Sequence, residues 1–386
     1  MRQRSQTILG TRLRGSFVGL RSLCIVALFH IGPSSLASQS GWSVIGTPDL
    51  DITGYRDIDG ENVKFANIVS AVRLSSGVLV VADAGNASLH FYSPADQRGR
   101  IVSRAGGGPG EFRQVWWMGR CFGDSLFVWD AGKRVLIVFD STGKFVSESR
   151  ALSLNVGAPT PYAVSCFLGV FATQPAGRAP ELGSPIIRGQ APVFVVDTRS
   201  TGAKAIPGLP AGEMVILGGG AGPRPLGRQT SLAVGLDRVY IGTADSATLL
   251  IYSREGQAIG TMPLRVRSKR ATLDEYVRAV DAIVANVPVS VRARVRDRYL
   301  ELPPPEYLPP YFALLVDHEG TLWVVTSPPG TPTSMQAYDA LGRLLADVKL
   351  PLPVKVMDIG DDFVLGAHED ASGELHLVSF KLRRGS

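Results

Sequence analysis

The sequence has little charge and few cysteines, and each of these absences excludes a class of protein. Only 19% of its 386 residues are charged and 45% are hydrophobic, which is too apolar for a disordered chain. Three cysteines are too few for a fold that depends on disulfides. Its 43 glycines and 26 prolines are too many for a mostly helical protein. The composition therefore predicts a large all-β globular protein that is rich in loops.

The motifs of common enzyme classes are also missing. No Gly-x-Ser-x-Gly sequence occurs. The glycine-rich segment 106–110 lacks the Gly-Lys-Ser/Thr ending of a phosphate-binding loop, and we interpret it as a tight connection between sheets. The histidines outside the N-terminal region show no H-x-x-x-H or H-x-x-E-H spacing, so the motifs predict no metal ligands. These histidines are His90, His318, His368 and His376.

The N-terminal region has the features of a secretory signal peptide. Five arginines, an apolar run of nine residues (23–31) and small residues up to Ala37 precede the first acidic residue, Asp49. The run is too short to cross a bilayer, which takes about 20 residues. Cleavage after Ala37 would remove five of the 40 basic residues and leave 35 against 34 acidic ones, a net charge of +1.

We therefore predict a signal peptide over residues 1–37 and a periplasmic or secreted protein with no transmembrane segment after cleavage. We also predict that the protein does not bind nucleic acid, because that function needs a basic stripe and the charge that remains is close to zero.

Two cysteines, Cys121 and Cys166, remain after removal of Cys24 with the signal peptide. Each begins a predicted inner strand, in neighbouring repeats. An oxidising compartment permits a disulfide between them if their Cα atoms lie within about 7 Å. The sequence leaves two alternatives open, a structural disulfide or two buried thiols.

Pairs of strands recur along the chain. In each clear copy an apolar strand is followed, after a short turn, by a second strand and a turn that contains glycine. Four clear copies lie at residues 79–92, 126–143, 239–256 and 322–342, and two weaker ones lie at 170–197 and 363–380. The spacing between copies is irregular, which suits repeats of about 40–50 residues that carry loop insertions.

The first strand of each pair is an unbroken apolar run, so we expect it to be buried on both faces. Antiparallel sheets have both faces buried where they pack side by side in a ring. The sequence therefore predicts an all-β fold, a six-bladed β-propeller of four-stranded antiparallel blades, as a single domain over residues 38–386. Residues 42–52 are expected to supply the outer strand of the last blade, beside Leu382.

One segment departs from the β pattern. Residues 272–275 have the sequence of a helix capping box, and apolar residues then recur at helical spacing until Pro288. The arginine-rich residues 291–298 fit either a helix or a strand. Residues 302–310 are rich in proline and should be extended. We predict that this insertion, 272–310, packs over a face or an edge of the propeller.

Several sequence features resemble those of exported bacterial six-bladed propellers related to NHL-repeat proteins. These features are Gly106-Gly-Gly-Pro-Gly-Glu-Phe112, the Leu-x-Val-x-Asp repeats and the segment 314–323. The resemblance covers roughly residues 42–383. Its motifs are structural, so it implies the fold and no particular chemistry, because propellers host both binding proteins and enzymes.

The densest group of aromatic and basic residues lies just before Cys121 and consists of Arg113, Trp116, Trp117 and Arg120. Such a group can stack against a sugar, a peptide or an aromatic ligand. We predict a monomeric binding or scaffold module for a protein, peptide or glycan ligand, and the sequence identifies no cofactor. The alternative is a hydrolase or lyase with a divalent metal at the mouth of the central channel.

Overall fold

The computed structural model describes residues 41–149, 161–175, 185–198, 203–217, 220–285, 287 and 289–385. The predicted signal peptide, residues 1–37, lies outside the described residues. The described residues form many β-strands and two helices, so the predicted all-β fold with one helical insertion is confirmed. Within this part of the chain, neither helix is long and apolar enough to span a membrane.

Two short strands and a hairpin come first in the described chain. They are β1 (Ser43–Val44), β2 (Leu50–Ile52), β3 (Gly54–Asp57) and β4 (Asn62–Lys64). Two groups of four antiparallel strands, which we call blades, follow directly. Blade 1 contains β5 (Ile68–Arg73), β6 (Leu79–Asp83), β7 (Ser88–Ser93) and β8 (Arg98–Ser103). β3 pairs in parallel with β8, so the β3–β4 hairpin extends this sheet to six strands. Blade 2 contains β9 (Val115–Phe122), β10 (Ser125–Asp130), β11 (Val135–Phe139) and β12 (Phe145–Ser149).

The third blade carries an additional small sheet beside it. Blade 3 contains β13 (Pro161–Phe167), β14 (Val170–Pro175), β16 (Gln190–Asp197) and β17 (Ala203–Pro210). The small sheet contains β15 (Ile186–Ile187), β18 (Met214–Leu217) and β19 (Gly220–Pro223).

The remaining blades flank two helices. Blade 4 contains β20 (Ser231–Val234), β21 (Arg238–Gly242), β22 (Thr248–Ser253) and β23 (Ala258–Pro263). The helices α1 (Leu273–Val284) and α2 (Val289–Leu300) come next. Blade 5 contains β24 (Ala313–Val316), β25 (Leu322–Val325), β26 (Ser334–Tyr338) and β27 (Leu344–Lys349), and blade 6 contains β28 (Lys355–Ile359), β29 (Phe363–Glu369) and β30 (Leu375–Arg383).

A buried aspartate explains the Leu-x-Val-x-Asp repeats. Asp83 ends β6, and its carboxylate accepts hydrogen bonds from the backbone N–H groups of Ala66 and Asn67, which lead into β5. Asp130 ends β10 and accepts in the same way from Arg113 and Gln114, ahead of β9. Each aspartate therefore fixes the start of the innermost strand in its own blade.

The innermost strands lie side by side and begin at the same face of the ring, which we call the front face. Serine hydroxyls in these strands accept hydrogen bonds from the backbone of a neighbouring blade. The pairs are Ser70 with Met118 at 3.2 Å, Ser165 with Val234 at 3.0 Å, and Ser231 with Leu314 at 2.8 Å. Neighbouring blades are thus joined through specific side chains as well as through apolar packing.

The last blade contacts the first through polar groups on β28. The Asp358 carboxylate accepts a hydrogen bond of 2.8 Å from the backbone N–H of Arg73. The Lys355 ammonium donates to the carbonyl of Val69 at 3.1 Å. The Lys355 side chain is exposed to solvent, yet the surrounding protein lowers the pKa of its ammonium.

The N-terminal strands complete blade 6, as the sequence predicted. β1 pairs with β30 through Ser43 and Arg383, and β2 pairs with β30 from Leu50 to Ile52. The Trp42 indole lies 5.8 Å from the ring of Trp323 in blade 5. The two ends of the described chain are therefore held in the same sheet.

The helical insertion lies across the front face. The predicted capping box is present: the Thr272 hydroxyl accepts from Glu275, and α1 begins at Leu273. The arginine-rich segment, which the sequence left undecided, forms α2. Tyr276 and Val280 of α1 pack with Val215 of the small sheet. On the opposite side of the front face, the guanidinium of Arg292 in α2 lies 4.0 Å from the carboxylate of Glu369 in blade 6.

A buried histidine network anchors the β3–β4 hairpin to blade 1. The His90 ring is fully buried, and its two nitrogens hydrogen-bond with the hydroxyls of Tyr55 (2.8 Å) and Ser88 (2.7 Å). The Asp83 carboxylate lies 3.8 Å from the same ring. Burial lowers the pKa of His90, and Asp83 opposes this effect. Ser88, His90 and Asp83 are inaccessible to a substrate, so we assign the network a structural role.

We expect His90 to make the protein sensitive to acid. The unfolded imidazole binds a proton near pH 6.5, whereas the folded one does so only at lower pH, so the free energy of unfolding should fall as pH drops below about 6.5. His90→Gln should remove this loss, about 1.4 kcal/mol for each unit by which the pKa is lowered. Urea unfolding of wild type and of His90→Gln at pH 7.5 and 5.0 measures this loss of free energy.

The His376 imidazole has the opposite effect on how stability depends on pH, because its pKa is raised rather than lowered. Burial alone would lower its pKa, but the carboxylates of Asp51 and Asp370 outweigh burial and raise it, so its contribution to stability is lost as pH rises above about 6.5. This contribution is the same in wild type and in the His90 variant. An equal loss of stability in the two proteins between pH 7.5 and 5.0 would contradict the role given to His90.

Candidate ligand-binding cleft

A cleft of about 370 Å³ opens on the front face between blade 4 and the proline-rich segment that follows α2. One wall is the turn 243–247, which joins β21 to β22, and the other is the segment 305–310. The floor carries charged side chains. We call this site the arginine cleft and define it by Arg188, Glu213, Arg224, Arg228, Asp245 and Tyr307.

Backbone hydrogen bonds to residues 269–271 hold the proline-rich wall in place. Prolines fix φ and favour an extended chain, which makes the segment stiff. The Leu308 N–H donates to the Lys269 carbonyl at 2.8 Å, and the Ala271 N–H donates to the Glu306 carbonyl at 3.0 Å. The Tyr307 ring is half exposed, and the Arg270 guanidinium lies 5.4 Å from its centre. The wall is therefore a stiff strap with one accessible aromatic ring.

The floor of the cleft is an alternating row of arginines and carboxylates. The buried Glu213 carboxylate pairs with Arg224 at 3.1 Å and with Arg228 at 2.5 Å. Arg228 also reaches Asp245 at 2.9 Å, and Asp245 pairs in turn with Arg188. The row holds three guanidinium groups and two carboxylates, and the Glu306 carboxylate also lines the cleft, so positive and negative groups are equal in number. The floor thus offers N–H donors and carboxylate acceptors side by side.

Backbone hydrogen bonds explain why these residues meet. The Glu213 N–H donates to the Arg228 carbonyl at 2.8 Å, and the Arg224 N–H donates to the Glu213 carbonyl at 2.9 Å. These bonds continue the pairing of β18 and β19 beyond Met214 and Pro223. They place Glu213 opposite Arg224 and Arg228. The Arg188 guanidinium is held separately by the Ala211 carbonyl at 2.9 Å.

Electrostatics keep the floor ionised. Burial alone would raise the pKa of Glu213, but the hydrogen bonds and charges of Arg228 and Arg224 outweigh burial and hold it below its usual range. The pKa of Asp245 is lowered in the same way against its burial, by Arg188 and Arg228. Both carboxylates therefore remain charged acceptors at neutral pH. Arg228 is the most accessible of the three cations, with 48% of its side chain exposed.

The structure does not bring the four residues of the predicted aromatic and basic group together. Arg113 and Trp116 lie at the front end of β9, and Arg120 lies near its other end, roughly 23 Å from Arg113 and roughly 13 Å from Trp116 at the rise of an extended strand. The Trp117 indole packs edge-on against Phe171 of blade 3 at 5.5 Å. Trp116 is 42% exposed, so one indole is accessible and the other lies between blades.

Arg120 is occupied at the back of the ring, where it forms an ion pair of 3.2 Å with Asp124. Arg120 is therefore not available to a ligand at Trp116, whereas Arg113 is exposed at the same end of β9. The sequence grouped these residues because they are neighbours along the chain, whereas an extended strand separates them in space.

The two cysteines of the sequence prediction form a disulfide in the structure. Their sulfur atoms are bonded, and their Cα atoms lie 5.0 Å apart. The bond joins β9 of blade 2 to β13 of blade 3. It therefore adds a covalent link between two neighbouring blades.

Within the described part of the chain, the residues that could hold a metal ion lie apart from the cleft. They are found at the front end of blade 6, on or beside β2, β29 and β30, and they are Asp51, His368, Asp370, Glu374 and His376. These are the second, third and outermost strands of the blade. The enzymatic alternative placed its metal at the channel mouth, beside the innermost strands, and this group lies elsewhere.

The strand order and the packing of the blades define the protein as a β-propeller. No family model and no curated protein matches the sequence. The resemblance to NHL-repeat propellers therefore remains one of motifs.

Solved structures of similar architecture include virginiamycin B lyase from Staphylococcus aureus, with 8% identity and a TM-score of 0.42 over 85% of this chain and 87% of that one. A gluconolactonase from Xanthomonas campestris has 12% identity and a TM-score of 0.44 over 90% and 99%. A Bacteroides fragilis protein assigned as exported has 12% identity and a TM-score of 0.46 over 89% and 97%. At these values the likenesses say nothing about individual site residues.

Proposed function

We propose that this protein is an exported, monomeric six-bladed propeller that binds an acidic glycan in the arginine cleft without catalysing a reaction. The observation that carries the proposal is the floor of the cleft, where guanidinium donors alternate with carboxylate acceptors. Sugar hydroxyl groups both donate and accept hydrogen bonds, so they match such a row. Arg228, the most accessible of the three cations with 48% of its side chain exposed, can pair with a carboxylate on the sugar.

The walls of the cleft support the same ligand class. Small-ligand sites enclose about 300–1,000 Å³ and combine apolar or aromatic walls with a few placed polar groups. The arginine cleft has such a volume, a proline-rich wall and the accessible ring of Tyr307. The strap is stiff before a ligand binds, so binding costs little conformational entropy.

Export is supported by two features that are independent of the cleft. The N-terminal sequence has the basic, apolar and small-residue regions of a signal peptide. The disulfide between Cys121 and Cys166 is a bond that persists in oxidising compartments. The mass of the protein recovered from the culture medium or periplasm should correspond to a chain that begins at Ser38.

The binding prediction is tested by calorimetric titration with tetragalacturonate and with a neutral galactose tetrasaccharide. We expect the acidic sugar to bind with a stoichiometry of one and the neutral sugar to bind at least 10-fold more weakly. Arg228→Ala should weaken binding of the acidic sugar by about 10- to 100-fold, because a charge-assisted contact contributes roughly 1.5–3 kcal/mol.

The matched control is Arg238→Ala. Arg238 also pairs with a carboxylate, Asp237, but it lies at the back of blade 4. Its loss should leave the affinity within about twofold of wild type. Equal affinity for the two sugars, an equal effect of both substitutions, or binding of acidic peptides alone would contradict the proposal.

A further inference from the structure

Two histidines face each other across the hairpin of β29 and β30 at the front end of blade 6. His368 and His376 are direct cross-strand partners, their ring centres are 4.7 Å apart and their planes differ by 20°. Asp51 of the neighbouring strand β2 lies on the same side, and its carboxylate is 2.6 Å from Nδ1 of His376. One donor atom from each of these three residues lies within 4.8 Å of the other two.

The two imidazoles have unused capacity for bonding. The Nε2 atoms of His368 and His376 are both buried, and neither has a hydrogen-bond partner among the described residues. A buried nitrogen without a partner costs free energy, since it has lost its contact with water. Two such atoms on adjacent rings indicate that a bonding partner belongs at this place.

The charge around the pair favours a cation. Asp370 and Glu374 approach His376 from the side of the turn, and an oxygen of Asp370 is 3.5 Å from Nε2 of His376. This separation is long for a hydrogen bond. The carboxylates thus surround the imidazoles with negative charge.

We propose that Asp51, His368 and His376 bind a divalent transition-metal ion, with Zn²⁺ as the expected occupant. Two imidazoles and one carboxylate form a donor set that suits zinc, with a fourth position for water. One donor atom of each residue lies within 4.8 Å of the other two, and rotation of the side chains has to bring these atoms to the roughly 3.3 Å that separates two ligands of one tetrahedral zinc ion. The site joins β2 to β29 and β30, so the metal would strengthen the attachment of the N-terminal strand to blade 6.

The test is a titration of the purified protein with Zn²⁺ in competition with a chromophoric chelator, followed by a titration with Co²⁺. We expect one Zn²⁺ per chain and a Co²⁺ absorption band typical of four-coordination. His368→Gln and His376→Gln should each weaken Zn²⁺ binding by about 100-fold or more, since even partners outside the ligand shell contribute 10- to 100-fold. Zn²⁺ should also raise the melting temperature of wild type and not that of these variants.

His318→Gln is the matched control, because His318 also pairs with a carboxylate, Asp358 at 2.9 Å, but has no second imidazole beside it. It should leave Zn²⁺ affinity within about threefold of wild type. Circular dichroism without metal shows whether each variant is folded. Absence of stoichiometric Zn²⁺ binding by folded wild type, or binding that the His368 and His376 variants retain, would overturn the proposal. A loss on Glu374→Gln that Asp51→Asn does not produce would overturn the assignment of Asp51.

Discussion

A chain that lacks residues 38–53 should fail to form a stable propeller. These residues supply β1 and β2, the strands that complete blade 6 by pairing with β30. Without them, β30 becomes an edge strand with unpaired backbone groups, and the apolar surface beneath Trp42, Leu50 and Ile52 is exposed. We expect the truncated chain to aggregate, or to unfold at a much lower urea concentration than the chain that begins at Ser38.

The difference in stability between these two chains measures what β1 and β2 contribute. The chain that begins at Ser38 should unfold in one cooperative transition, as a single compact unit does. An unchanged urea midpoint in the chain that begins at Gly54 would show that β1 and β2 do not hold the ring together.

Asp317→Ala should cost about 3–5 kcal/mol of stability, the usual effect of removing one partner from a buried ion pair. Asp317 is fully buried, and its carboxylate accepts from the Trp323 indole at 2.8 Å and from the Arg384 guanidinium at 2.7 Å. It therefore ties the end of blade 6 to blade 5. The substitution leaves the buried indole N–H without an acceptor and removes the carboxylate from the Arg384 guanidinium, which keeps the carbonyl oxygens of Gly360 and Asp361. Guanidinium chloride unfolding with an unchanged slope measures the loss.

Asp140→Ala is the control for the turn itself. Asp140 and Asp317 both accept backbone N–H groups two and four residues ahead in an Asp-x-x-Gly turn. The Asp140 carboxylate is at the surface and, among the described residues, bonds only to its own turn, so its loss should lower the free energy of unfolding much less than the loss of Asp317. Similar costs for the two substitutions would contradict the role assigned to Arg384 and Trp323.

Much of the architecture could be predicted from the sequence because it depends on local patterns. Unbroken apolar strands, Asp-x-x-Gly turns and the capping box at Thr272 are properties of short segments, and the structure contains each of them. The state of residues 291–298 could not be predicted, because arginines at every second position fit a strand and a solvated helix equally well.

The arginine cleft and the histidine pair could not be predicted, since both depend on contacts between distant residues. Glu213 and Asp245 are linked only through Arg228, and no motif connects their positions in the sequence. His368 and His376 meet because the hairpin register places them opposite each other. A sequence signal was available only for the pair: two histidines at equal distance from an Asp-x-x-Gly turn are cross-strand neighbours in a hairpin.

The most direct test of the ligand site is hydrogen–deuterium exchange of the purified protein with and without saturating tetragalacturonate. We predict slower exchange in residues 243–247 and 305–310, the two walls of the arginine cleft. Slower exchange confined to residues 113–120 around Trp116, with no change at the cleft walls, would contradict the account.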